Sequence, residues 1–193
     1  MLKEKLSHYN IILASGSPRR QNFLQKLDIP FTIDVRKIEE VYPNHLQGVE
    51  ITNYLSELKS KAFLKLRESD IVITSDTIVW FNNQALEKPK NQKDALLMLQ
   101  SLSGKKHSVY TSVSIKSKNF LKTFADETFV EFEDLSKEEI EYYLKNFAPY
   151  DKAGSYGIQD WIGLVGVKKI EGSYFNVMGL PVHKLYKELM KLP

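Results

Sequence analysis

Short apolar, β-branched runs alternate with stretches of helical spacing through the first half of the chain. Residues 11–13 read as a strand, a helix opens at Pro18, "FTIDV" reads as a second strand, a helix is expected over residues 54–66, and "IVITSDTIVW" is a long, mostly apolar strand. This alternation predicts an α/β sheet. "FNNQ" at 81–84 reads as a hairpin turn, and "NQKDALLMLQSLSG" has helical spacing that stops at Gly104. Two alternating stretches, "HSVYTSVSI" and "FADETFVEFED", meet near Lys118 and Asn119 as an antiparallel pair, which makes the sheet mixed.

A helix with a clear start follows, Ser136 with Glu138 and Glu139 behind it, and runs to about Phe147. Tyr142, Tyr143 and Phe147 share its helical spacing and read as a core face. "DKAGSYGIQDWIG" reads as a shaped loop, "LVGVKKIEGSYFNVMGL" as a strand and turn, and residues 181–190 as a last helix. No repeat, low-complexity tract or flexible linker interrupts the pattern, so residues 1–193 read as a single domain.

The chain has no cysteine, which excludes disulfides, thiolate nucleophiles and thiolate metal sites. A formal net charge of +3 is too small to argue for a nucleic-acid or membrane partner. "MLKEKLSHYN" lacks the apolar core of a signal peptide, and no run approaches membrane-spanning length; a soluble cytoplasmic protein is expected.

The segment "LASGSPRR" stands out. Ser17 is a natural N-cap and Pro18 suits the first helical position, yet Arg19 and Arg20 fall in the first turn, where the macrodipole favours negative charge by about 0.3–1 kcal/mol per charge. An anion held by backbone N–H groups, Ser15 and the arginines would resolve that conflict; a capped helix with exposed arginines gives the same pattern. The segment is neither a Walker loop nor a dinucleotide fingerprint.

Asp76 lies inside the long apolar strand, where an ionised carboxylate must be paired, hydrogen-bonded or bound to metal. A strand-end aspartate accepting backbone hydrogen bonds and an aspartate beside polyphosphate and Mg²⁺ or Mn²⁺ are both open. Glu39 and Glu40 offer a further carboxylate, Lys61 and Lys88 could extend an anion site, and the Gln159 amide could read a nucleobase edge. His8, His45, His107 and His183 show no paired metal spacing and receive no role. A Ser15 triad is set aside because no G-x-S-x-G elbow is present.

Taken in order, "LASGSPRR", "SDTIV", "LEKP", "LSGKKHSV", "DKAGSYGIQ" and "KIEGSYFNVMGLP" resemble the motifs of the Maf family of nucleoside triphosphate pyrophosphatases, from residue 11 to about residue 186. The resemblance implies an α/β fold like that of inosine triphosphate pyrophosphatases: an elongated mixed sheet flanked by helices, two lobes and a central cleft. It implies metal-dependent hydrolysis of a nucleoside triphosphate to the monophosphate and pyrophosphate, with Mg²⁺ or Mn²⁺ as cofactor. Asp76 would accept the proton from water and share the metal with Glu40; Ser15, Arg19, Arg20, Lys61 and Lys88 would bind phosphates.

Thr77 and Gln159 resemble the subgroup that acts on dTTP and UTP, with modified pyrimidine triphosphates as further candidates, rather than the subgroup preferring 7-methyl-GTP. The family is also associated with inhibition of septum formation, so a nucleotide-sensing regulator is the alternative reading, and a homodimer is left open. Three departures stand out: Ser75 replaces the usual alanine before the aspartate, Ser56 replaces alanine in the L-A-x-x-K-A helix, and Asp160 and Trp161 follow Gln159 where glycine is usual.

Overall fold

The computed structural model describes residues 1–193. In chain order the elements are α1 (Leu2–Lys5), β1 (Asn10–Leu13), α2 (Pro18–Lys26), β2 (Thr32–Ile33), α3 (Val49–Lys61), β3 (Asp70–Phe81), β4 (Gln84–Leu86), α4 (Gln92–Leu102), β5 (Lys106–Lys116), β6 (Leu121–Phe132) and α5 (Lys137–Phe147). A 3₁₀ turn at Ala153–Ser155 then precedes α6 (Trp161–Gly166), β7 (Val167–Glu171), α7 (Tyr174–Val177) and α8 (Val182–Leu189). The strands form one seven-stranded mixed sheet in the order β2-β1-β3-β5-β6-β7, with β4 paired to β3. No helix is long and apolar enough to cross a membrane.

The chain divides into two compact units, one of Met1–Asp76, Thr111–Asp126 and Gly179–Pro193, the other of Thr77–Tyr110 and Glu127–Met178. In the first, β1 runs parallel to both β2 and β3, pairing Leu13 with Ile33 and with Ile73. Parallel neighbours need crossovers, and α2 and α3 lie in those connections. Leu13, Leu24, Ile51, Leu55, Ile71, Ile73, Leu185 and Leu189 are buried.

Helix α3 meets the strands of this unit through hydroxyls as well as through leucine and isoleucine. Thr52 Oγ1 and Ser112 Oγ lie 2.6 Å apart, Ser114 Oγ donates to Ser56 Oγ at 2.9 Å, and Thr74 Oγ1 donates to the Ser56 carbonyl at 2.7 Å. Ser56, the departure from alanine, is therefore a paired buried hydroxyl. Its partners restrict how α3 can rotate or slide, because buried polar groups left unpaired are costly.

In the second unit Val79, Leu99, Leu102, Val109, Val130, Phe132, Ile140, Tyr143, Leu144, Tyr156, Ile158 and Ile162 form one core cluster. The β3–β4 hairpin closes through Asn82 and Asn83, both with positive φ, as expected of a tight asparagine turn. Helix α5 starts with the expected reciprocal cap: Glu139 N–H donates to Ser136 Oγ at 3.1 Å, and Ser136 N–H donates to Glu139 Oε2 at 2.7 Å.

Several boundaries differ from the sequence pattern. The helix expected over 54–66 is α3, five residues earlier at each end; it begins after Gly48, whose positive φ turns the chain. The strand expected in "FTIDV" is two exposed residues long, the blunt edge by which sheets avoid further pairing. Of the three aromatic residues assigned to a core face on α5, only Tyr143 is buried; Tyr142 is half exposed and lies against Trp161 instead.

Candidate active site

Strand β1 delivers the chain to Ser15, and α2 begins three residues later. Ser17 sits at the N-cap in extended geometry, but its side chain makes no capping bond, and the first turn holds no acidic residue. The helix thus presents its first N–H groups without the usual internal anion. Ser15 is buried, and its hydroxyl accepts from Ser17 N–H at 3.3 Å and from Arg20 Nη1 at 3.3 Å.

Arg20 Nε donates to the Gly179 carbonyl at 2.8 Å and Nη1 donates to the Ser75 carbonyl at 3.0 Å, so this guanidinium is anchored to the backbone immediately before Asp76. Burial pulls its pKa down to about 10, against the opposing pull of Asp76. A desolvated guanidinium of this kind gains from any further negative charge brought near it. Arg19, one residue earlier on α2, is half-buried.

Asp76 ends the first unit's part of β3 and is buried. Lys59 Nζ donates to its Oδ1 at 2.6 Å and lies 2.9 Å from Glu40 Oε2, so one ammonium bridges two carboxylates. Glu40 is more exposed than either partner, with its side chain 47% accessible against 17% for Lys59 and 9% for Asp76. Ser75, the departure from alanine, donates to the Gly179 carbonyl at 3.4 Å, the oxygen that also receives Arg20.

The lysine chosen from the sequence is not the one brought to Asp76. Lys61 is exposed at the end of α3, whereas Lys59 makes the bridge. Two residues on an α-helix lie about 200° apart around the axis, so both cannot face the same carboxylate. The signal was present: with Leu55 and Ser56 occupying the first two positions of L-A-x-x-K-A, the lysine of that pattern is residue 59.

The remaining candidates belong to the second unit. Thr77 follows Asp76 on β3 and is half-buried. Lys88 is exposed in the loop before α4, lining an open groove of about 430 Å³ together with Lys90, Asn91 and Lys93. Gln159 is half-buried after the 3₁₀ turn, and its Nε2 donates to Asp160 Oδ1 at 3.1 Å. The turn needs glycine at 154, where φ is +65° and a Cβ would come within 2.7 Å of Val79 Cγ2.

Glu40 and Asp76 are the carboxylates that fit a divalent cation, since they already converge on a single positive charge. No group of three or more His, Asp or Glu side chains is arranged to hold a metal ion. A two-carboxylate site suits Mg²⁺, which commonly takes one or two protein carboxylates and completes its shell with water and phosphate oxygens.

An uncapped helix start with two arginines thus lies against the strand that carries a buried aspartate bridged by lysine to a glutamate. The model of Maf-like proteins matches residues 10–192. The chain belongs to the Maf family. Curated Maf relatives named dTTP/UTP pyrophosphatase include one from Christiangramia forsetii, 57% identical over 100% of this chain and 98% of its own length. Others come from Flavobacterium johnsoniae, 55% identical over the whole of both chains, and Bacteroides thetaiotaomicron, 46% identical over 97% and 98%. Among solved structures, a HAM1 protein from Coxiella burnetii covers 95% of this chain and all of its own with a TM-score of 0.52 at 15% identity, a likeness of fold.

Proposed function

We propose that the chain hydrolyses dTTP and UTP, and pyrimidine triphosphates modified on the base, to the nucleoside monophosphate and pyrophosphate. The observation that carries this reading is the buried Asp76 carboxylate, tied to Lys59 and Glu40 on a strand whose preceding carbonyl is held by Arg20. The names of relatives about half identical over nearly their full length support the substrate class.

The triphosphate docks its oxygens on the first N–H groups of α2, on Ser15 and on Arg19, while Arg20 keeps that helix start in register with Asp76. Its negative charge draws the Lys59 ammonium away from the two carboxylates and onto phosphate oxygen. Asp76 then accepts a proton from water as the water oxygen attacks the α-phosphorus in line. The new O–P bond forms as the bond from the α-phosphorus to the bridging oxygen breaks, and pyrophosphate leaves with that bond's electron pair.

Lys59 stabilises the charge on the leaving group. Glu40 and Asp76 would hold a divalent cation, which supplies charge neutralisation for the triphosphate when bound. Gln159 meets the base edge, and Thr77 borders the catalytic aspartate. A nucleotide sensor needs the anion-binding residues but not the buried carboxylate, so catalysis is the better reading. A soluble, cytoplasmic enzyme completes it.

The test is pyrophosphate release from a panel of canonical and base-modified nucleoside triphosphates with Mg²⁺ or Mn²⁺. UTP and dTTP should give the highest kcat/KM. A preference for 7-methyl-GTP would overturn the substrate assignment, and release of orthophosphate in place of pyrophosphate would overturn the reaction.

A further inference from the structure

We propose that Asp160 is a positioning residue that locks the Gln159 amide in one orientation and so lets the chain read uracil and thymine in preference to cytosine. This rests on the reading of Gln159 as the residue that meets the base.

The two pyrimidine classes differ by an inversion. Uracil and thymine present a carbonyl acceptor beside the N3–H donor, whereas cytosine presents an amino donor beside the N3 acceptor. A primary amide offers one N–H and one C=O side by side, and turning it by 180° exchanges them. A glutamine free to turn therefore matches either class. One that cannot turn matches a single class.

Gln159 is of the second kind. Its Nε2 donates to Asp160 Oδ1 at 3.1 Å. A carboxylate only accepts, so the nitrogen must face it; the reversed amide would set Oε1 against a carboxylate oxygen. Nε2 carries two hydrogens, so one is left for the base once the other is directed at Asp160.

Asp160 is itself held. Tyr143 Oη donates to Oδ2 at 2.8 Å, and Lys152 Nζ lies 3.8 Å from the same oxygen. Tyr143 is fully buried on α5, its phenol is pushed far above the ordinary value by burial and by Asp160, and its oxygen accepts Gly157 N–H at 3.0 Å. It therefore remains a donor at every pH at which the protein would be assayed.

Gly157 completes the arrangement. A Cβ there would fall 2.4 Å from Asp160 Oδ2 and 2.8 Å from Gln159 Nε2, so the two side chains occupy the space that a larger residue would fill.

The experiment compares kcat/KM for UTP and CTP in the wild type, Asp160→Asn, Asp160→Gly and Gln159→Ala, with thermal midpoints measured in parallel. Asparagine can donate or accept and glycine can do neither, so both variants free the amide. The UTP-to-CTP ratio should fall about tenfold in each, chiefly through a lower KM for CTP, the size expected when a hydrogen bond to a charged group is lost. Loss of stability alone would scale both substrates together and leave the ratio unchanged. An unchanged ratio in both Asp160 variants, with UTP turnover reduced in Gln159→Ala, overturns the lock while leaving Gln159 as the base reader. Gln159→Ala without effect on either nucleotide overturns the base reading and the lock with it.

Discussion

The polar residues around Asp76 and those around Gln159 are organised on opposite principles. Asp76, Lys59 and Glu40 form a bridge of full charges in which one ammonium serves two carboxylates. Gln159, Asp160 and Tyr143 form a relay of hydrogen bonds that ends in a buried phenol, with one fixed donor at each step. The first can be rearranged by an incoming polyanion, because an ion pair exchanges partners readily when charge arrives. The second resists rearrangement, because each reversal would set acceptor against acceptor.

The largest expected effect falls on the charged cluster. Asp76→Asn keeps the shape of the side chain but removes its capacity to take a proton, and kcat should fall about 10³-fold with nucleotide binding retained. Pyrophosphate release and nucleotide titration measure the two separately. Turnover within tenfold of wild type would remove Asp76 as the base and dissolve the contrast drawn above.

Next comes a paired comparison on α3. Lys59→Met should lower kcat/KM for UTP about 10²-fold by removing the charge that moves between carboxylate and phosphate, whereas Lys61→Met should remain within about twofold of wild type. The reverse order of sensitivity would mean that α3 presents its other face to the substrate.

The smallest effect concerns stability and belongs to the second unit. His107 is buried, bonded through Nε2 to Tyr156 Oη at 2.8 Å, with Nδ1 unpartnered, and burial lowers its pKa from 6.5 to about 4. Between those values the unfolded chain holds more protons than the folded one. Stability from this residue is therefore complete above about pH 6.5 and is lost as pH falls toward 4, by up to about 3 kcal/mol. Thermal midpoints across that range should drop less in His107→Gln than in wild type. Equal slopes would show that other groups govern the acid response.

Much of this was legible in the residues because it depends on local chemistry. The Ser136–Glu139 cap, the Asn82–Asn83 turn and the alternation of strand and helix require only neighbours in sequence. So does the unusual charge at the start of α2. The choice between Lys59 and Lys61 was not settled by residue type, since it depends on where α3 begins and on the hydroxyl pairs that fix its rotation. Residue type makes Arg19 and Arg20 equal candidates for phosphate, and it does not show that Arg20 also donates to the carbonyls of Ser75 and Gly179, one of them 159 positions away in the chain.

By itself the sequence determined the class of fold and the family, and it marked the charge at the start of α2 and the aspartate inside β3 as the places to look for a site. The fold class follows from periodicity, the family from several motifs in order, and the two marked places from the mismatch of charge and helix dipole and from the cost of burying a lone carboxylate. Only the tertiary structure decided that Lys59 bridges Asp76 to Glu40, which carbonyls receive Arg20 and which way the Gln159 amide is held. These depend on distances between segments far apart in the chain, and a hydrogen bond or ion pair is decided by tenths of an ångström that no spacing of residues encodes.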